Sequence, residues 1–217
     1  MGTHGIGMTS ARTHARMVER LRESGIRDEV VLSALLAVPR HRFVDEALAI
    51  RAYDDVPLPI GHGQTISQPW VVARMTELAR NGRELDGVLE IGTGCGYQTA
   101  VLAPLVKKIY SIERIGPLAK RAKATLKELG ISNVMVKHGD GMQGWKSQKP
   151  FDGILVAAAP LAVPEALFAQ LANRGRLVVP VGPEGSQQLI RFTRHDDRLE
   201  REVLGAVAFV PMLGGTA

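Results

Sequence analysis

The residues best placed to do chemistry are three carboxylates, each following an apolar run that reads as a buried strand. Glu90 stands within Val88-Leu89-Glu90-Ile91, directly before Gly92-Thr93-Gly94-Cys95-Gly96-Tyr97. Glu113 closes the next apolar run, about 20 residues after the first glycine. Asp140 lies between Gly139 and Gly141, after a third. A glycine turn between strand and helix lets backbone approach a ligand at the carboxyl end of the first strand, where open α/β sheets bind ligands. Tyr97 stands where the dinucleotide fingerprint has its last glycine, which disfavours a nicotinamide site. A carboxylate at Glu113 can accept both hydroxyls of a ribose, and one at Asp140 can accept from an adenine amino group. Three acids along one edge repel a pyrophosphate and suit a sulfonium carrying ribose and adenine. The pattern therefore favours S-adenosylmethionine, with S-adenosylhomocysteine as product, over NAD or ATP. Singly, Glu90 is as well explained by a salt bridge, Glu113 by a cap and Asp140 by a turn; in order, each after a strand, they are not. Cys95, with no histidine in the local sequence, reads as a small packing residue rather than a nucleophile.

The elements that must position these groups follow from periodicity. Residues 1–10 carry three glycines and no apolar period, and read as a flexible leader. Helices are expected at 11–25, 29–38 (stopped by Pro39) and around 44–51. The stretch 53–69 holds Pro57, Pro59, Gly61, Gly63 and Pro69 and shows no usable period; a loop of that length inside a compact domain is usually functional. Beyond it, helices expected at 70–80, 98–105, 118–129 and 164–172 alternate with strands at 87–91, 108–112, 133–136, 151–157 and 176–181. Apolar runs separated by helices predict a doubly wound α/β fold, with a mostly parallel sheet and helices on both faces. Segments 188–194 and 204–210, joined by a charged turn at 195–197, predict antiparallel strands at the C-terminal edge. Residues 11–217 thus read as one domain with an N-terminal helical extension.

The chain has 217 residues, 45% of them hydrophobic, enough to bury one continuous core. No apolar run approaches the roughly 18 residues of a membrane-spanning helix, and no signal pattern opens the chain. The single cysteine cannot form an internal disulfide, in keeping with a cytoplasmic protein. A net charge of +5 raises nucleic acid as a partner, but the arginines and lysines are interspersed with glutamates on helical stretches, and no aromatic residues interleave with them. Solvated helix faces explain the charge better. No cluster of His, Cys or carboxylates has metal-ligand spacing, so no metal is expected, which argues against the magnesium-dependent methyltransferases of catechols.

The 53–69 stretch carries a more specific signal. Pro57-Leu58-Pro59-Ile60-Gly61, followed by Gln64-Thr65-Ile66-Ser67-Gln68-Pro69, resembles the hallmark of protein-L-isoaspartate O-methyltransferases. The similarity extends to Pro39-Arg40-His41-Arg42-Phe43-Val44, the 89–97 turn, Ser111-Ile112-Glu113-Arg114, Gly139-Asp140-Gly141, Pro180-Val181-Gly182 and Phe209-Val210-Pro211, nearly the whole chain after the leader. Cys95 departs from it, since members commonly carry Ser there. The resemblance implies a class I methyltransferase fold, Ser67 as the catalytic residue, and residues 64–67 folded over the cofactor. Cofactor contacts are accordingly expected at Gln64, Thr65, Ile66, Glu90, Gly92, Thr93, Gly94, Cys95, Glu113, Arg114, Asp140 and Gly141. Acceptor contacts are expected at Ile60, Ser67, Ala158 and Val210, the last on an edge strand that could hold a peptide by backbone hydrogen bonds. The implied partners are damaged proteins and peptides bearing isoaspartyl residues, met by a monomer.

Pro69 suits the first turn of a helix, which puts Ser67 near free N–H groups and a dipole that favour an anion such as an isoaspartyl α-carboxylate. A carboxylate is already nucleophilic, so alignment and exclusion of water suffice, and Ser67 is expected to donate to it. The competing reading makes Ser67 an N-cap only. His41 and His62 have no proton to move in such a reaction and read as structural. Methylation of exocyclic base amines calls for a polar residue ahead of two prolines and an aromatic after the fourth strand; here stands Ala157-Ala158-Ala159-Pro160. A noncatalytic nucleotide-binding module would keep the glycine turn and Glu113 without needing the 53–69 segment.

Overall fold

The computed structural model describes residues 10–217. Residues 1–9 of the expected leader lie outside the described residues. Ser10 N-caps the first helix through its side chain, which accepts from Thr13 N. That helix, α1 (Ala11–Glu23), turns Met17, Val18 and Leu21 inward. Asp28 caps α2 (Glu29–Ala37) by accepting from Val30 N and Val31 N, and also pairs with Arg80. Two short 3-10 segments, Arg40–Phe43 and Glu46–Arg51, lead away from it.

The 53–69 stretch is more ordered than its composition predicts. β1 (Leu58–Gly61) and β2 (Gln64–Ile66) form an antiparallel hairpin, with Gly61 opposite Gln64. The two turn residues, His62 (φ 54°) and Gly63 (φ 68°), are both left-handed, the geometry that matches the twist of a two-residue hairpin. Then α3 (Pro69–Arg80) begins with proline at N1.

The remaining chain alternates β3 (Leu85–Ile91), α4 (Tyr97–Leu102), β4 (Val106–Glu113), α5 (Gly116–Glu128), β5 (Val134–His138), β6 (Phe151–Val156), α6 (Glu165–Phe168), β7 (Leu171–Val181), β8 (Gln187–His195) and β9 (Arg198–Val207). One seven-stranded sheet runs β5-β4-β3-β6-β7-β8-β9, parallel from β5 to β7 and antiparallel beyond. The chain winds outward from β3 in one direction and resumes at β6 in the other. That switch point is where a crevice opens at the carboxyl ends of the strands.

Alternate residues of the central strands feed two cores. Val88, Ile109, Leu155 and Val178 pack under α1–α5, while Leu89, Ile112, Ile154 and Leu177 face Trp145, Leu167 and Phe168. The second face is covered thinly, by short turns and the four-residue α6. The helix expected over 164–172 is confined to that single turn, because the chain enters β7 at Leu171. At Gly175 a Cβ would lie 2.8 Å from Ala172 O and 2.9 Å from Phe151 O, so the glycine serves a close backbone approach at an irregular pairing. At the far edge the strand expected over 204–210 starts earlier, at Arg198, and ends at Val207.

Candidate active site

The site grows from the end of β3. Gly92 N donates to Ile112 O at 2.8 Å, which bends the chain toward β4. Gly92 adopts φ 92°, and a Cβ on it would touch Ala157 at 3.4 Å, so the turn presents bare backbone between β4 and β6. The turn, the ends of β4 and β6, the hairpin and the segment 210–213 together line a cavity. Gln64, Thr65, Ile66, Ser67, Gly92, Thr93, Gly94, Cys95, Glu113, Arg114, Gly141, Ala158 and Val210 all face it.

Glu113 is the acid that matters in this cavity. Its Oε2 accepts from Gly94 N at 2.8 Å and its Oε1 from Ile115 N at 2.9 Å, so the carboxylate is fixed and only 5% exposed. Two backbone donors leave further lone pairs for a ligand's hydroxyls.

The other two acids are placed differently from expectation. Glu90 is fully buried beneath the turn and does not line the cavity. Its Oε2 accepts from Ser111 Oγ and Thr99 Oγ1, and Oε1 has no partner among the described residues. Burial pushes its pKa up to about 7, against hydrogen bonds from Ser111 and Thr99 that lower it. Asp140 is likewise engaged: Oδ1 accepts from Met142 N at 2.8 Å and Oδ2 from Gly215 N at 2.9 Å. Its carboxylate tethers the last segment of the chain instead of facing the cavity, where Gly141 stands in its place. Of the three acids, Glu113 alone lines the cavity.

One expected acceptor contact, Ile60, is displaced, and another, Val210, faces the site in a different backbone setting. Ile60 is buried, lines neither cavity, and sits so that a Cβ on Gly94 would be 3.3 Å from its Cδ1; it backs the turn from behind. Val210 lies beyond β9, and its carbonyl already accepts from Ala159 N at 2.8 Å. It faces both cavities without being an edge strand free to pair.

A second cavity adjoins the first. Pro57, Gln68, Trp70 and the 206–210 segment line it, and Thr65, Ser67, Ala157 and Val210 face both. Ser67 is half-buried, and its hydroxyl makes no hydrogen bond among the described residues. Nor does it cap α3, whose N-cap position is Gln68. Asp55 performs that task, its Oδ1 accepting from Trp70 N at 2.8 Å. The helix N-terminus thus already holds one carboxylate, at Trp70 N.

Several lining residues gave no sequence signal. Val72 and Gln98 reach the cavity from α3 and α4, and Met212 and Leu213 close it from the tail beside Pro211. Behind the turn, Arg40 is fully buried with its guanidinium 4.7 Å from the centroid of the Tyr97 ring, and its Nε and Nη1 have no hydrogen-bond partner among the described residues. Burial lowers its pKa. Burial also pushes the Cys95 thiol up to about 11, so it stays protonated and unreactive. His41 Nδ1 lies 2.7 Å from Tyr53 Oη, and His62 is exposed at the hairpin tip. Among the described residues, no three His, Cys, Asp or Glu gather to hold a metal.

Comparison with known proteins is consistent with this geometry. The model of the protein-L-isoaspartate(D-aspartate) O-methyltransferase family matches residues 12–217. A protein-L-isoaspartate O-methyltransferase of Dechloromonas aromatica is 59% identical over 215 residues, covering 98% of this chain and 99% of that protein. One from Halorhodospira halophila is 57% identical, over 97% and 96%. Among solved structures, a protein-L-isoaspartate O-methyltransferase superposes with a TM-score of 0.85 at 29% identity, over 93% of this chain and 66% of that longer one. A Plasmodium falciparum chain described as a beta-aspartate methyltransferase, solved in complex with S-adenosyl-L-homocysteine, gives 0.78 at 27%, over 92% and 98%.

Proposed function

Since this chain belongs to the protein-L-isoaspartate(D-aspartate) O-methyltransferase family, we propose that its two adjoining cavities divide the reaction, the first taking the methyl donor and the second the damaged acceptor. The enzyme is an S-adenosylmethionine-dependent carboxyl methyltransferase that esterifies the free α-carboxylate of L-isoaspartyl residues. The adjoining backbone amide nitrogen then attacks the ester carbonyl and expels methanol, closing a succinimide that water reopens in part to normal aspartate.

The chain's own groups suit that donor. Glu113 offers a fixed carboxylate for ribose hydroxyls, the Gly92 turn offers bare backbone, and Ile91 and Ile112 offer apolar walls. S-adenosylmethionine supplies an electrophilic methyl group on a sulfonium. The protein's task is to aim a carboxylate oxygen at it and keep water out. We assign the aiming to Ser67, which acts by donating a hydrogen bond to the acceptor carboxylate. The observation that carries this is its unpartnered hydroxyl on the wall shared by the two cavities. Residues 64–66 cover the donor from the hairpin side, Arg114 and Gly141 flank its adenosine end, and Ala158 and Val210 face the junction with the acceptor.

We further propose that residues 11–217 work as a single methyltransferase domain, monomeric and cytoplasmic, acting on protein rather than on nucleic acid or a membrane. In support, arginines 22, 42, 74, 80 and 121 are ion-paired with neighbouring acids, which offsets part of the net positive charge. No helix among the described residues is long and apolar enough to cross a membrane.

The test uses labelled S-adenosylmethionine and paired peptides that differ only in Asp or isoAsp. Base-labile label is expected on the isoAsp peptide alone. Ser67→Ala is expected to lower kcat/KM about a hundredfold at an unchanged melting temperature, because Asp55 and not Ser67 caps α3. Undiminished turnover would remove Ser67 from the mechanism.

A further inference from the structure

Gln98, the second residue of α4, faces the donor cavity and has one firm partner: its Nε2 lies 2.8 Å from Thr76 Oγ1. Thr76 is fully buried in α3, and its hydroxyl donates to Val72 O, also at 2.8 Å. A hydroxyl has a single proton, and this one is committed to Val72, so toward Gln98 Thr76 can only accept. The amide must therefore present its NH2 group to Thr76. This settles the orientation that an amide otherwise leaves open, and turns Oε1 away from Thr76. Oε1 has no protein partner among the described residues.

An acceptor held in a fixed direction in a ligand cavity is a recognition element. Accepting the donor reading of the cavity, on which this step rests, ribose at Glu113 and the reacting centre beside Ser67 fix two points of the ligand. Glu113 ends β4, whereas Ser67 and Val72 belong to the α3 side, against β6 and β7. Gln98, tied to α3 through Thr76, lies at that end, where the amino-acid arm of the donor remains to be held. The arm carries an ammonium and a carboxylate, and a carbonyl oxygen can accept only from the first. We propose that Gln98 Oε1 binds the α-ammonium of the donor and that Thr76, through its committed proton, is the positioning residue that keeps it turned that way.

Calorimetry on the full chain separates the contributions, with S-adenosylhomocysteine, its analogue with hydrogen in place of the α-amino group, and its analogue lacking the carboxylate. The wild type is expected to prefer S-adenosylhomocysteine to the deaminated analogue by about tenfold. In Gln98→Met that preference is expected to collapse toward one, with binding of the deaminated analogue unchanged and the carboxylate-dependent preference intact. Thr76→Val is expected to lose part of the amine preference and Thr76→Ser to keep it. If Gln98→Met melts at a markedly lower temperature, the Thr76→Val and Thr76→Ser pair decides instead. An amine preference unchanged in Gln98→Met and in Thr76→Val would overturn the assignment while leaving the donor cavity standing. Failure of S-adenosylhomocysteine to bind the wild type at all would overturn both.

Discussion

Glu90 shows how a carboxyl two residues before the glycine turn comes to serve the fold. It accepts from Ser111 and Thr99 in a fully buried setting, and burial raises its pKa from 4.5 to about 7. Below pH 4.5 the group is protonated whether the chain is folded or not. Between 4.5 and about 7 only the folded chain keeps the proton, so this site's contribution to stability falls as pH rises and is lost above about 7. Glu90→Gln mimics the neutral form at every pH. Urea unfolding at pH 5 and pH 8.5 is expected to show the variant gaining roughly 2–3 kcal/mol on the wild type between the two; an equal difference at both pH values would mean that Glu90 titrates normally. Asp55 gives a simpler case. Its carboxylate supplies the N-terminal bond of α3, and Asp55→Ala is expected to cost about 1 kcal/mol in the same measurement. Glu113 was legible in the sequence because strand, turn and spacing together specify one position at the sheet edge. Glu90 and Asp140 occupy similar chain positions, and the side on which a carboxylate emerges depends on strand register and tail contacts that spacing does not carry.

At the scale of elements, the hairpin is the instructive difference. Its prolines and glycines predict irregular chain, and the strands are too short for any period to show. The readable clue was the dipeptide His62-Gly63, a two-residue left-handed turn with glycine second. The start of β9 leaves no sequence signal for a related reason: most of its residues are exposed on both faces, so it lacks the apolar alternation of a half-buried strand. The parallel strands β3, β4 and β6 were found because both their faces are buried. Packing between elements makes its own prediction at Gly141. A Cβ there would lie 2.3 Å from Ile91 Cγ2, against the floor of the cavity. Gly141→Ala is expected to lower stability by about 1–3 kcal/mol and to weaken S-adenosylhomocysteine binding measured by calorimetry, since Asp140 and its bond to Gly215 must shift with it.

Over the whole molecule, the cavity proposed for the donor is assembled from parts distant in sequence: the hairpin, the β3 turn, the end of β4 and the 210–213 segment. The tail is tied down at several points, by Met212 N to Ala159 O, by Gly215 N to Asp140 and by Ala217 N to Arg114 O. A ligand that bridges these parts stabilises the folded chain by mass action. S-adenosylhomocysteine at a hundred times its Kd is expected to add about 2.7 kcal/mol to unfolding stability. Hydrogen exchange should slow most over 58–66 and 211–217; protection confined to the β3 turn would mean that hairpin and tail do not close on the ligand. Sheet and turn were written in local pattern, whereas the tail's place depends on contacts made only after the sheet has formed.

Thr65, Ser67, Ala157 and Val210 form a party wall, one residue thick, between the two cavities. Occupants on either side of so thin a partition cannot be indifferent to each other, and thermodynamics requires their influence to be mutual. Whatever factor the isoaspartyl peptide contributes to the grip on S-adenosylhomocysteine, S-adenosylhomocysteine must contribute equally to the grip on the peptide.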